Sequence, residues 1–156
     1  MRNIRLFAII AAMVVLFSCD EENNPSNTDL LTSSPWIFVS YTVSPAIDWD
    51  GYGTMVTDIL AQFDACNKDD ISDFNTNNTY TLEEGATKCD PNDPQVYETG
   101  TWAFNSDETV LVMTDSDGFA TNYNIVKISS TEITLKDEYT AANDIKYTFT
   151  SVFRHK

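Results

Sequence analysis

Residues 145–150 have the sequence Ile-Lys-Tyr-Thr-Phe-Thr, in which apolar and polar side chains alternate. Successive side chains of a β-strand point to opposite faces, so this pattern is typical of a strand with one buried face and one face in water. The same alternation occurs at Ile133 and Leu135, and again at Trp102 and Phe104. These segments predict an antiparallel sheet with one apolar face.

Turn residues divide most of the chain into short strands of this kind. Residues 75–78 (Asn-Thr-Asn-Asn) and 115–118 (Asp-Ser-Asp-Gly) are turn sequences between runs of β-branched and aromatic residues. We predict eight strands, over residues 36–43, 70–74, 79–83, 96–104, 109–114, 119–128, 132–136 and 144–153. Consecutive hairpins with one apolar face bury that face by closing into a barrel. The expected fold is therefore all-β, an eight-stranded antiparallel meander barrel whose interior is filled by side chains or holds one small ligand.

One segment departs from the strand pattern. Its apolar residues recur at the spacing of one helix face, at Met55, Val56, Ile59, Leu60 and Phe63. This spacing predicts one short helix after the first strand, over residues 54–64. The polar loop before it contains Trp49 and Tyr52. These two residues are candidates for a rim that grips an apolar ligand or a glycan ring, and the alternative is that they pack against the barrel mouth.

The N-terminal segment predicts export and a lipid anchor. Arg2 and Arg5 introduce an apolar run over residues 6–17 that is too short for a membrane-spanning helix. Residues 16–19, Leu-Phe-Ser-Cys, resemble the lipobox of bacterial lipoproteins, in which the signal is cut before the cysteine and acyl chains are attached to it. The resemblance implies lipidation at Cys19 and stable attachment to a membrane. The alternative is an ordinary secretory signal with an incidental cysteine.

We therefore expect a signal peptide over residues 1–18, a lipidated acidic tether over 19–29 and a barrel domain over 30–156. The acidic residues 20–22 resemble the surface-export signals of some gram-negative lipoproteins. The expected location is the cell envelope, with the protein anchored to the outer membrane and facing outwards. There are two alternatives to surface export. The first is retention in the inner membrane, which an aspartate directly after the cysteine causes in other gram-negative lineages. The second is that the three charges only keep the tether solvated.

Two cysteines remain once Cys19 is assigned to the anchor. In an exported protein, the remaining pair Cys66 and Cys89 predicts a disulfide, with two unpaired thiols as the alternative. Closing this loop stabilises the fold by about 3 kcal/mol in the chain-entropy description. A metal site would need further ligands, and His155 is the only histidine in the sequence, so no metal site and no cofactor are expected.

The charge and the motif content exclude other classes of function. The formal net charge of the 156 residues is −15, which disfavours a nucleic-acid partner because phosphates require Lys and Arg. The sequence has no Gly-x-Ser-x-Gly, no phosphate-binding glycine loop and no His-Glu-x-x-His. We therefore do not expect an enzyme.

The part of the sequence that follows the tether resembles the lipocalin-like domains of small bacterial lipoproteins. The resemblance spans residues 30–154 and is most specific at residues 78–81 (Asn-Thr-Tyr-Thr), 85–91 (Gly-Ala-Thr-Lys-Cys-Asp-Pro) and 98–104 (Glu-Thr-Gly-Thr-Trp-Ala-Phe). It implies that Trp36 closes the base of the barrel against Arg154 from the last strand. It also implies binding of a small apolar molecule in the interior or mouth. The alternative is a non-enzymatic interaction module with a filled barrel that binds an envelope protein or a glycan.

Overall fold

The computed structural model describes residues 24–156, which form nine β-strands and one short α-helix. In chain order these elements are α1 (Asn27–Leu31), β1 (Trp36–Asp48), β2 (Met55–Asp58), β3 (Ile71–Phe74), β4 (Thr79–Glu83), β5 (Val96–Phe104), β6 (Val110–Asp115), β7 (Ala120–Ile128), β8 (Glu132–Thr140) and β9 (Lys146–His155). Two short 3-10 helices, Leu60–Gln62 and Ala65–Asn67, lie between β2 and β3.

The sheet closes on itself through its first and last long strands. The strand order is β2-β1-β3-β4-β5-β6-β7-β8-β9, and β1 also pairs with β9. This seam is antiparallel and runs from the Trp36↔His155 pair to the Ser44↔Thr148 pair. Eight strands therefore form the barrel, and β2 is an additional strand on the free part of the β1 edge. The prediction of an eight-stranded antiparallel meander barrel is confirmed.

The helix predicted over residues 54–64 is wrong, apart from the 3-10 helix at Leu60–Gln62. The start of this segment is β2, which pairs with β1 at Ile47↔Val56 and Asp48↔Met55. The apolar spacing fits a helix, but the open edge of β1 offers hydrogen bonds that an extended segment can use. Ile59 then becomes fully buried in the barrel mouth, and its backbone N–H donates to the Tyr41 carbonyl at 2.8 Å.

The first strand is longer than predicted and contains a bulge. The predicted strand ends at Val43, but β1 continues through Pro45 to Asp48, because Pro45 lies where the pairing with β2 is irregular and no N–H is needed. The pairing with β9 shifts between Phe38 and Ser40. A bulge adds one residue to the strand, so the inward-facing positions change parity. Phe38 and Tyr41 consequently both face the interior, although they are three residues apart.

The helix α1 closes the base of the barrel. Its Ser26 cap accepts a hydrogen bond from the Asp29 N–H, and the Asp29 carboxylate accepts one from the Ser26 N–H. Leu31 at its end is buried in the main apolar cluster. The helix begins at Asn27, so the last residues of the segment 19–29 are helical. The signal peptide over residues 1–18 and the lipidation of Cys19 lie outside the described residues.

Candidate functional site

A cavity of about 210 Å³ lies inside the barrel and borders two clusters of buried apolar side chains. Strand alternation supplies most of its wall, because every second residue of each strand faces the interior. The lining is mainly aromatic and aliphatic, and includes Phe38, Phe74, Met113, Leu135, Phe149 and Phe153. An enclosed apolar space of this kind is typical of a site for a small molecule.

Three polar side chains from three strands, Tyr41 on β1, Tyr123 on β7 and Asp137 on β8, are part of the cavity wall. Burial raises the pKa of Tyr41, and the nearby charge of Asp137 raises it further. Burial, followed by the charge of Asp137, raises the pKa of Tyr123 to about 12. Both phenols therefore keep their protons at neutral pH, and the cavity offers two hydroxyl donors beside one carboxylate acceptor.

The closed end of the barrel is sealed by Trp36, which is 0% exposed. Its indole Nε1–H donates to the Leu31 carbonyl at 2.8 Å, and its ring lies 4.0 Å from the ring of His155, centroid to centroid. The prediction that Arg154 packs against Trp36 is wrong. Neighbouring residues of a strand face opposite sides, so with His155 inside, Arg154 lies outside, 3.6 Å from a carboxylate oxygen of Glu132.

The candidate rim residues occupy the loop between β1 and β2, at the mouth of the barrel. The ring of Trp49 lies 6.5 Å from the ring of Tyr41 and 6.5 Å from that of Phe63, and both of these residues line the cavity. Trp49 nevertheless stays 42% exposed. Tyr52 is 89% exposed, and its backbone N–H donates to Asp50. The structure therefore brings Trp49 to the mouth and leaves Tyr52 in solvent.

The predicted disulfide between Cys66 and Cys89 is confirmed, with 5.3 Å between the two Cα atoms. It joins the loop before β3 to the loop before β5. A carboxylate beside it strengthens the same connection, because Asp69 accepts hydrogen bonds from the backbone N–H groups of Ala86 (2.8 Å) and Thr87 (3.0 Å). Burial opposes ionisation of Asp69, but its hydrogen bonds with Thr87 and Ala86 outweigh burial and lower its pKa.

The polar residues of the cavity were missed by the sequence analysis. The strand predicted over residues 132–136 stops one residue before Asp137, whereas β8 continues to Thr140. The sequence signal that could have identified Asp137 is the alternation of inward-facing residues along β8. Ile133, Leu135 and Asp137 occupy every second position, so the carboxylate continues an inward-facing apolar series. A charged residue at an inward position is a stronger functional signal than the exposed aromatic residues of a loop.

Three ion pairs connect charged side chains within residues 24–156. They join Lys127 and Arg154 to Glu132, and Lys146 to Glu138. In this part of the chain, no group of three or more His, Cys, Asp or Glu side chains is placed to hold a metal ion. Among the described elements there is also no helix with the length and apolar character needed to cross a membrane.

Comparison with known proteins identifies the family of this chain. A search of curated proteins gives no match. Among solved structures, the chain is similar to bovine odorant-binding protein in complex with a selenium-containing odorant, at 16% sequence identity and a TM-score of 0.44, over 87% of this chain and 76% of that one. The family profile of the lipocalin-like domain matches residues 35–135, which is more than half of the chain. This protein therefore belongs to the lipocalin-like domain family, as the sequence motifs predicted.

Proposed function

We propose that this protein is a lipid-anchored protein of the cell envelope that binds one small, mainly apolar molecule inside its barrel. The observation that carries the proposal is the cavity of about 210 Å³ with its aromatic and aliphatic wall. The proposed role is binding without catalysis. A filled barrel that binds an envelope protein or a glycan requires a solid interior, so the cavity favours the small-molecule role.

The size of the cavity limits the ligand. Sites for drug-sized molecules have volumes of about 300–1,000 Å³, and an apolar cavity of about 150 Å³ is large enough for benzene. The space in this barrel lies between these values. The proposed ligand is therefore an aromatic ring or a short alkyl chain with few polar atoms. Tyr41, Tyr123 and Asp137 orient it by offering two hydroxyl donors and one acceptor at a fixed position.

A cavity-filling substitution tests the small-molecule role. Ser151 is buried on β9 and lines the cavity, and Thr150 is the neighbouring residue on the opposite face. The domain from residue 24 onward contains both apolar clusters, so it is the unit to purify in oxidised form and expose to an extract of the source cells. Native mass spectrometry is expected to show a retained small molecule in the wild type and in Thr150→Leu, and none in Ser151→Leu.

The outcomes of this experiment separate the two roles. An adduct that Ser151→Leu retains would place the ligand outside the cavity. A bare mass for the wild type across several extracts, together with no binding of simple alcohols or aromatic compounds, would overturn the small-molecule role. Thermal denaturation of both variants shows that each is folded before the masses are compared.

The proposed anchor and location are tested separately from ligand binding. They rest on the lipobox-like residues 16–19 and on the acidic segment that follows. Cys19→Ala is expected to move the protein from the membrane fraction to the soluble fraction, whereas Cys19→Ala protein that stays with the membranes would contradict the anchor. Protease added to intact cells is expected to remove the wild-type domain if it faces outwards, and a periplasmic protein of the same cells provides the protected control.

A further inference from the structure

A second pocket adjoins the cavity on the side where β1 separates from β3. These strands pair only at Trp36↔Ser72 and Ile37↔Ile71, and the β1 edge then turns to β2. The second pocket has a volume of about 360 Å³ and shares part of its wall with the cavity, namely Phe38, Phe63, Ser72 and Leu82. The other residues of its wall are polar: Asn67, Asp70, Glu84 and Tyr97. The two pockets therefore lie side by side, the cavity forming an apolar part and the second pocket an acidic part.

The acidic part contains two buried carboxylate oxygens without partners. Glu84 is only 8% exposed, and within residues 24–156 its Oε2 atom has no hydrogen-bond partner. The same holds for the Oδ1 atom of Asp70, although its Oδ2 atom accepts a bond from the Tyr97 hydroxyl at 3.2 Å. A buried polar atom without a partner costs free energy, so each one calls for a physical explanation. A cation bound beside these two carboxylates provides one.

The local backbone holds both carboxylates in place. The Glu84 N–H donates to the Gln95 carbonyl at 2.9 Å, which fixes the chain at the end of β4. At the next residue, Gly85, a Cβ atom would overlap the carbonyl oxygen of Asp69, so only glycine permits this close approach. The disulfide next to these residues ties the two loops together. The paired carboxylates are therefore built into the fold and do not arise from a mobile surface loop.

The protein supplies little positive charge at this position. The ion pairs of the described residues involve neither Asp70 nor Glu84. Lys88 is the basic residue that acts on Glu84, but its Nζ donates to the Asp93 carbonyl at 2.6 Å. Burial, followed by the charges of Asp70 and Asp93, raises the pKa of Glu84, and burial likewise raises the pKa of Asp70. A bound cation would offset these unfavourable charges.

We propose that the ligand of this barrel carries a cationic amine, which binds between Asp70 and Glu84 while its apolar part occupies the cavity. This inference rests on the proposed small-molecule role and specifies its ligand class. An alkylammonium group has three N–H donors, and the pocket wall supplies acceptors for them in the carboxylates of Asp70 and Glu84 and the side chains of Asn67 and Tyr97. The net charge of −15 favours a cationic ligand and disfavours an anionic one.

Three probes with the same tail test the amine group directly. Octylamine, octanol and octanoate differ only in their polar group, and calorimetry at neutral pH measures their binding to the oxidised domain from residue 24 onward. Hydrogen bonds to charged groups are worth about 1.5–3 kcal/mol, so we expect octylamine to bind at least about tenfold more tightly than octanol. Octanoate is expected to bind most weakly of the three.

Two double variants assign the effect to the pocket. The variant Asp70→Asn with Glu84→Gln keeps the shape of both side chains and removes their charges, so octylamine affinity is expected to fall to that of octanol, with octanol binding unchanged. The control variant Asp107→Asn with Asp117→Asn removes the same charge from exposed turns and is expected to preserve the tenfold preference. If the first double variant is unfolded, Glu84→Gln alone is expected to remove most of the preference.

The possible results separate this inference from the function on which it rests. Equal binding of octylamine and octanol by the wild type would overturn the amine inference and leave the small-molecule role intact. An octylamine preference that the variants of Asp70 and Glu84 retain would also overturn it, because the preference would then come from Asp137 in the cavity or from the overall charge. No binding of any probe would contradict both.

Discussion

The closed end of the barrel and its mouth use aromatic side chains in different ways. At the closed end, Trp36, Phe74 and Trp102 are buried together in a single apolar cluster. At the mouth, Tyr41 and Phe63 are only partly buried and border the cavity. The cavity lies between the two ends and borders both, so the difference is one of burial. The closed-end side chains are almost fully buried, whereas those at the mouth are only partly buried.

Removing the central side chain of each end gives the largest predicted contrast. Trp36→Ala is expected to lower the free energy of unfolding by about 3–5 kcal/mol, because it leaves a large cavity in a packed cluster. Phe63→Ala at the mouth is expected to cost less than half as much, because Phe63 is only partly buried and loses less apolar burial than Trp36. Urea denaturation of the oxidised domain measures both.

A second substitution guards against a Trp36 variant that does not fold. Leu111 belongs to the same closed-end cluster and is fully buried, so Leu111→Ala is expected to cost about 2–5 kcal/mol. Equal costs for Phe63→Ala and Leu111→Ala would show that the two ends are packed alike, and the comparison would then be wrong.

The disulfide provides the next largest effect, and it acts on the mouth side. Cys66 and Cys89 are separated by 23 positions, so replacing both by serine is expected to lower the free energy of unfolding by about 3 kcal/mol. The loops that this bond joins carry Asp70 and Glu84. Hydrogen exchange is expected to rise in these loops and to stay unchanged around Trp36. A uniform rise along the chain would contradict a local role.

The sequence was sufficient to predict which faces of the strands point inwards, but it predicted neither the mouth nor the residue that closes the base against Trp36. Alternation of apolar and polar residues gave the barrel and the correct inward face at Trp102, Ile133 and Leu135, because strand geometry alone determines these faces. The bulge between Phe38 and Ser40 changes the parity of β1 without any clear signal in the sequence. Such a shift depends on pairing with β9, which lies more than a hundred residues away in the chain.

The candidate site depends still more on contacts that are distant in sequence. Asp70 and Glu84 precede β3 and follow β4, where the sequence suggests only ordinary surface charges. Their burial results from the disulfide and from the close approach of Gly85 to Asp69. Among many acidic residues, no pattern distinguishes these two. The prediction of a helix over residues 54–64 failed for a similar reason, since pairing with the edge of β1 overrides the local spacing of apolar residues.

The pH dependence of stability gives a smaller, directional test of the mouth. Folding raises the pKa of Glu84 and of Asp70 above their ordinary values of 4.5 and 3.8. A carboxyl group with a raised pKa in the folded state favours folding while it is protonated and penalises folding once it is ionised. We therefore expect Asp70→Asn with Glu84→Gln to gain stability relative to the wild type as the pH rises above about 4.5.

Comparison of the two proteins at each pH isolates these groups. The neighbouring Asp69, Asp93 and Lys88 are present in both, so the hydrogen bonds that lower the pKa of Asp69 contribute to both curves. The difference is expected to be small below pH 3.8 and to level off above the raised pKa values. Denaturation midpoints measured between pH 3 and 8 provide the curve, and a difference that falls with rising pH would contradict the burial of these charges.

Two neighbouring residues of β9 give the smallest effects and test which of them closes the barrel. The ring of His155 lies 4.0 Å from that of Trp36, so His155→Ala is expected to cost about 1 kcal/mol, and His155→Phe is expected to recover most of it. The side chain of Arg154 is 63% exposed and forms an ion pair with Glu132 at 3.6 Å, so Arg154→Ala is expected to leave the denaturation midpoint within error. The reverse order would restore the arginine to the closed end. Because the two residues are adjacent, which of their substitutions costs more depends only on which face of β9 points inwards. The pairing of Trp36 with His155 places the histidine on the inward face.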